Sequence, residues 1–165
     1  MFAFLTNLFT RPASKSKKTL PTLDDPLFGT LIYFPMTQTW SGKIQFTPLD
    51  REIEILIDAG DSGPTESHRE FFRALTARWP EIQNAIGDIL FPPMKKWAKK
   101  DYDENNPWGY FDLRGIRVPT LATEPVEWAI SYWCPSNHHY FDVQMSGWKS
   151  DGLDISRNQT FSVIF

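Results

Sequence analysis

The sequence predicts an α+β fold built mainly on an antiparallel sheet, and three observations carry that expectation. Aromatic residues make up 15% of the 165 residues, with 13 Phe, 7 Trp and 5 Tyr. Such side chains suit pleated, half-buried surfaces. The segment Arg51 to Asp58 alternates most clearly, with Ile53, Ile55 and Ile57 in one phase and Glu52, Glu54 and Asp58 in the other. A period of two marks a strand with one buried face. Strand-like segments come first, helical ones follow, and strand-like ones return, an order that argues against a doubly wound parallel sheet.

The elements follow in chain order. Residues 1–22 read as a flexible or weakly helical leader, and residues 23–165 as a single domain. Phe28 to Phe34, Trp40 to Phe46 and Arg51 to Asp58 are three strands joined by short links, which makes an antiparallel meander. Ala59 to Gly63 is a turn. Pro64 then suits a first helical turn, and Glu66 suits the positive end of the helix dipole. The first helix runs to about Trp79 with Phe71, Phe72, Leu75 and Trp79 inward. Pro80 starts a second, in which Ile82, Ala85, Ile86, Ile89 and Leu90 recur at helical spacing. Pro92 and Pro93 are expected to break it, leaving Met94 to Lys100 as a short third helix. Leu113 to Val118 is a fainter strand. Val126 to Trp133 and His138 to Ser146 alternate and flank the turn Cys134 to Asn137, as a hairpin does. Asp151 to Ile155 and Thr160 to Phe165 are candidate edge strands.

Composition narrows the function classes. The formal net charge is −3, so the chain as a whole has no electrostatic reason to seek nucleic acid. One cysteine, Cys134, excludes an intramolecular disulfide and favours a reducing, cytoplasmic setting. The apolar start MFAFLTNLF precedes its basic residues, the reverse of a secretory signal, and falls short of the roughly 20 apolar residues that span a bilayer. Stable membrane insertion is therefore not expected. Phe2, Leu5, Leu8 and Phe9 share a helix face, which keeps a peripheral membrane or structural role as an alternative.

Three stretches together carry a resemblance. They are Leu23 to Gly29 (LDDPLFG) after a Lys-rich leader, Glu52 to Asp58 followed by Gly63-Pro64-Thr65, and His139 to Val143 leading to Gly147-Trp148. The combination resembles a group of uncharacterised small bacterial domains related to the immunity proteins of toxin–immunity systems. The resemblance implies a protein that neutralises a cognate toxin by occluding its active site. It supplies no catalytic residue.

Candidate chemistry is sparse. Cys134, His138 and His139 lie within six residues, but C-x3-H-H is not a zinc spacing, and adjacent histidines on a strand point to opposite faces. The corresponding enzyme alternative is a small metal-dependent or cysteine-based enzyme using Cys134, His138, His139 and Asp142, in which His68 or His139 would serve the cysteine. Cys134 sits before a proline in a turn, where no helix N-terminus lowers its pKa. The pairs Glu52/Glu54 and Asp24/Asp25 read as solvated faces. The phosphate-loop, dinucleotide and nucleophile-elbow motifs are absent. No catalytic residue, cofactor or metal is expected.

Surface chemistry is richer. Between Asp50 and Glu70 stand seven carboxylates, Asp50, Glu52, Glu54, Asp58, Asp61, Glu66 and Glu70, against Arg51 and Arg69. Gathered on one surface, they would steer and hold a basic partner such as a nuclease-type toxin domain. Trp97 (bracketed by lysines 95, 96, 99 and 100), Trp128, Trp133 and Trp148 are candidate anchors. The expectation is a protein-binding module with another protein as its partner; a homodimer through open sheet edges is compatible with it.

Overall fold

A computed structural model describes residues 19–157. Its centre is one eight-stranded sheet in which spatial order follows chain order. The strands are β1 (Thr22–Asp25), β2 (Gly29–Phe34), β3 (Thr39–Phe46), β4 (Arg51–Asp58), β5 (Asp112–Val118), β6 (Glu127–Cys134), β7 (His139–Ser146) and β8 (Lys149–Ser156). Two helices, α1 (Glu66–Ala77) and α2 (Trp79–Ala98), lie between β4 and β5. Two four-stranded antiparallel meanders thus meet side by side. Their junction, β4 against β5, is the one parallel pairing, because a helical crossover returns the chain in its original direction.

The helices cover one face of this sheet. Ile53, Ile55 and Ile57 of β4, Ile130 and Tyr132 of β6, and Phe141, Val143 and Met145 of β7 are all buried in the core cluster with Phe72, Leu75, Ile82, Ile86, Leu90 and Met94 of the helices. Removing each such side chain from water contributes about 1.5–3 kcal/mol. Aromatic edges tie the layers together: Phe46 meets Trp79 at 4.8 Å and Phe28 meets Phe72 at 5.4 Å between ring centroids.

The expected α+β architecture is present, but three details differ. The first meander has four strands, because Thr22–Asp25 pairs with β2. Asp25 fixes that strand: its carboxylate accepts from the backbone N–H groups of Leu27 and Phe28 and from Arg69 of α1, with Arg69 Nη2 at 2.8 Å. Secondly, Pro92 and Pro93 do not break α2, so no separate helix begins at Met94. The buried stripe Trp79, Ile82, Ile86, Leu90, Met94 continues across the prolines, and its burial outweighs the lost backbone bonds. Thirdly, α1 begins after the N-cap Thr65, so Pro64 precedes the cap, and Trp79 belongs to α2. β8 is a full edge strand over Lys149–Ser156. The expected leader and the expected strand Thr160 to Phe165 lie wholly or largely outside the described residues. No described helix is long and apolar enough to cross a membrane.

Candidate functional site

The other face of the sheet is where the polar phases of the strands collect. β4 contributes Glu52, Glu54, Leu56 and Asp58, opposite Gly115 and Arg117 of β5 in the parallel register. β6 adds Ala129, Ser131 and Trp133, and β7 adds Tyr140, Asp142 and Gln144, each directly across from its partner. Asp154 of β8 faces Asp142. No described element packs over this face. Even so, Ser41, Leu56, Ala129, Ser131 and Asp142 are buried there. Most are short side chains beside longer ones on the same face: the Ser41 hydroxyl lies 3.4 Å from Glu54 Oε1, and Leu56 and Ala129 stand opposite Arg117 and Gln144. At Gly115 a Cβ would lie 3.1 Å from the Glu54 carbonyl oxygen, so a side chain there would crowd β4.

A cleft of about 440 Å³ opens on this face, lined by Asp58, Arg117, Glu127, Asp142, Gln144 and Asp154 among others. Arg117 holds Asp58 with two bonds, Nε at 2.9 Å and Nη2 at 3.1 Å. Burial pushes the Asp142 carboxyl above its ordinary pKa, the Asp154 charge adds to the rise, and a hydrogen bond from Ser131 opposes it. The cleft therefore carries four carboxylates against one guanidinium. They do not converge on a point: among the described residues, no group of three or more His, Cys, Asp or Glu is placed to hold a metal ion. Negative charge spread along a trough suits several cationic groups on one macromolecule better than a single ion. Beside the cleft, Trp133 and Tyr140 pack at 4.6 Å across the β6–β7 pair.

The residues expected from the sequence divide between the two layers. Glu52, Glu54 and Asp58 share the open face with Trp133. Asp61 lies in the turn after β4. Glu66 and Glu70 are on α1, in the other layer, and Glu66 is engaged by Arg69 and Arg73, which hold its carboxyl below the usual range. The seven carboxylates of 50–70 thus do not form one surface. Trp128 is buried under α1, its ring edge on Phe71 and its indole N–H donated to the Gly147 carbonyl at 2.6 Å. Trp148 stacks on Phe71 and lies under the Arg78 guanidinium, so it seals the seam between helices and sheet. Trp97, 43% exposed, lies on α2 with its edge toward Phe141.

Cys134 is fully buried, its sulfur 3.8 Å from the Met94 sulfur and 3.2 Å from the Ser136 hydroxyl. His139 lies against Trp97 and bonds the Asn137 carbonyl, and His138 packs on Trp133. The two histidines thus point to opposite sides, and Cys134 lines none of the clefts described here. Sequence reasoning missed Arg117, Glu127 and Asp154 as site residues and considered Asp142 only as a companion of Cys134. The available signal was phase: each stands in the strand phase opposite the core residues. No family model, curated protein or solved structure matches the chain. Fold and site together define an α+β protein with one helix-covered and one open, acidic sheet face.

Proposed function

We propose that this chain is a protein-binding module that holds a basic partner in the trough of its open sheet face, as an immunity or inhibitor protein holds a toxin. One observation carries the reading: a cleft of about 440 Å³, with four carboxylates against one guanidinium, lies on a face that no described element covers. Charge of that kind speeds the encounter with a basic surface and sets its register. The Trp133–Tyr140 pair beside it supplies the aromatic anchor that strong interfaces place near their centre. The inhibitory role follows from the resemblance of the strand and turn motifs to immunity-related domains.

The test is affinity purification from the native cell with mass spectrometry, using the wild type beside the double variant Glu127→Lys/Asp154→Lys. Both side chains are exposed, so the variant keeps its fold. The expected outcome is a basic protein held by the wild type, released by salt and lost with the variant. Its toxic activity should be suppressed at one equivalent of the wild-type chain. Equal recovery by both chains would remove the open face from the interface. A partner whose activity is unaffected would leave binding and discard inhibition.

A further inference from the structure

We propose that His68 is a proton-sensitive latch that joins the start of α1 to the end of β4 at neutral pH and releases on acidification. This inference stands apart from the proposed function, since it concerns the covered layer and needs no partner.

The geometry defines the latch. Thr65 caps α1, and His68 is the third residue of the helix, the position from which a side chain reaches back to the cap. Its Nδ1 lies 3.0 Å from the Thr65 backbone nitrogen, which has a hydrogen to donate, and 2.7 Å from the Thr65 hydroxyl. Its Nε2 lies 3.3 Å from the Asp58 carbonyl oxygen, which can only accept. One protonation state satisfies both ends: the neutral ring with its hydrogen on Nε2 and its lone pair on Nδ1. A second proton must sit on Nδ1, where it meets the hydrogen of the Thr65 N–H. Two donors then face each other, the bond from the Thr65 N–H is lost, and the charged ring keeps only the Thr65 hydroxyl oxygen as an acceptor for Nδ1–H.

The surroundings oppose the charged ring as well. His68 is buried, and burial pushes its pKa below the ordinary histidine value. Asp58 of β4, and the Asp58 and Pro119 carbonyls, pull the other way, while Arg69 of α1 adds to the depression. Asp58 is itself engaged by Arg117 of β5, and Arg69 by Asp25 of β1, so neither charge is at liberty to turn to the ring. Because the folded pKa is the lower one, the native state binds fewer protons than the unfolded chain. Stability is complete above the unfolded value near 6.5 and declines as the pH falls through it toward the folded value. One proton changes the unfolding equilibrium constant by at most about tenfold per pH unit.

The discriminating variant is His68→Gln. Glutamine at this position is a normal partner in a Thr-x-x-Gln cap and does not titrate. Urea unfolding of both chains from pH 7.5 to 5 should show the wild type losing ground to the variant below about pH 6.5. The histidines His138 and His139 are common to both chains and cancel in the difference. Imidazole nitrogen NMR of the wild type should show the Nε2–H tautomer at pH 7.5 and a pKa below the ordinary histidine value. Parallel stability curves would overturn the latch. So would a His68 ring that titrates at or above the ordinary value, a result that does not depend on the variant folding.

Discussion

The two faces of the sheet are made by the same strands and obey different rules. On the covered face, β4, β6 and β7 present Ile55, Ile130 and Phe141, each buried beneath the helices. One residue along, the same strands present Glu54, Ser131 and Asp142 to the trough. Both faces contain buried side chains, so burial does not separate them. What separates them is the cause: helix packing removes water from one face, and longer neighbouring side chains shield part of the other. A face buried by packing holds apolar groups and is spent on stability. A face shielded only by its own side chains retains polar groups that cost stability.

The largest expected effects test the covered face. Phe141→Ala deletes a fully buried ring that touches both Phe111 and Trp97. Large aromatic truncations of this kind lose about 3–5 kcal/mol. Gln144→Ala, three residues along on the open face and exposed, should stay within about 0.5 kcal/mol of the wild type. Urea titrations of the two variants check the contrast, and comparable losses would mean that the open face is packed as the other is. Next comes Asp25→Ala. It leaves Arg69, whose side chain is only 18% exposed, without its main partner, and strips the bonds from the Leu27 and Phe28 N–H groups. Breaking a buried pair costs about 3 kcal/mol. The pH sign is definite. Burial alone would raise the Asp25 carboxyl, but the Arg69 and backbone bonds together hold it below the usual range. Its contribution is therefore present above the unfolded value near 3.9 and lost as the pH falls through the lower folded value. The gap between wild type and variant should narrow only in acid.

How much of this was legible depends on how local the cause is. The alternation of Arg51–Asp58 separated the buried isoleucines from the outward carboxylates, because side-chain period is a property of the strand itself; the alternation of Val126 to Trp133 showed two phases, but Trp128, expected as a surface anchor, lies in the buried one. β1 was hidden: four residues, TLDD, carry no pattern, and what holds them is Arg69, 44 positions away. In α2, Pro92 and Pro93 signal a stop in the sequence, whereas the stripe ending in Met94 keeps the helix going. The acidic run from 50 to 70 was visible, but the turn after β4 sends Glu66 and Glu70 to the helical layer. The cleft was the least legible part. It draws on five strands from Asp58 to Asp154, and no stretch of sequence shows which strands lie side by side.

Asp142 is where the two faces can be told apart by the smallest change. Its carboxyl is buried in the trough, and both burial and the neighbouring Asp154 charge raise its pKa. The sign is opposite to that of Asp25. A raised folded value means that the native state holds the proton more tightly than the unfolded chain. The resulting stability is present below the unfolded value near 3.9 and disappears as the pH rises through the folded value. Losing that proton therefore costs the fold stability. Asp142→Asn removes the charge and keeps an oxygen to accept from Ser131. The variant should therefore be more stable than the wild type at pH 7, by about 1 kcal/mol, with the difference vanishing near pH 3. Thermal melts across that range check it, and a less stable variant at pH 7 would assign Asp142 to structure rather than to the trough. If the proposed basic partner exists, the same substitution should weaken its capture. A charge that lowers stability and raises affinity is the trade expected of a face kept for binding, and no position on the covered face should show it.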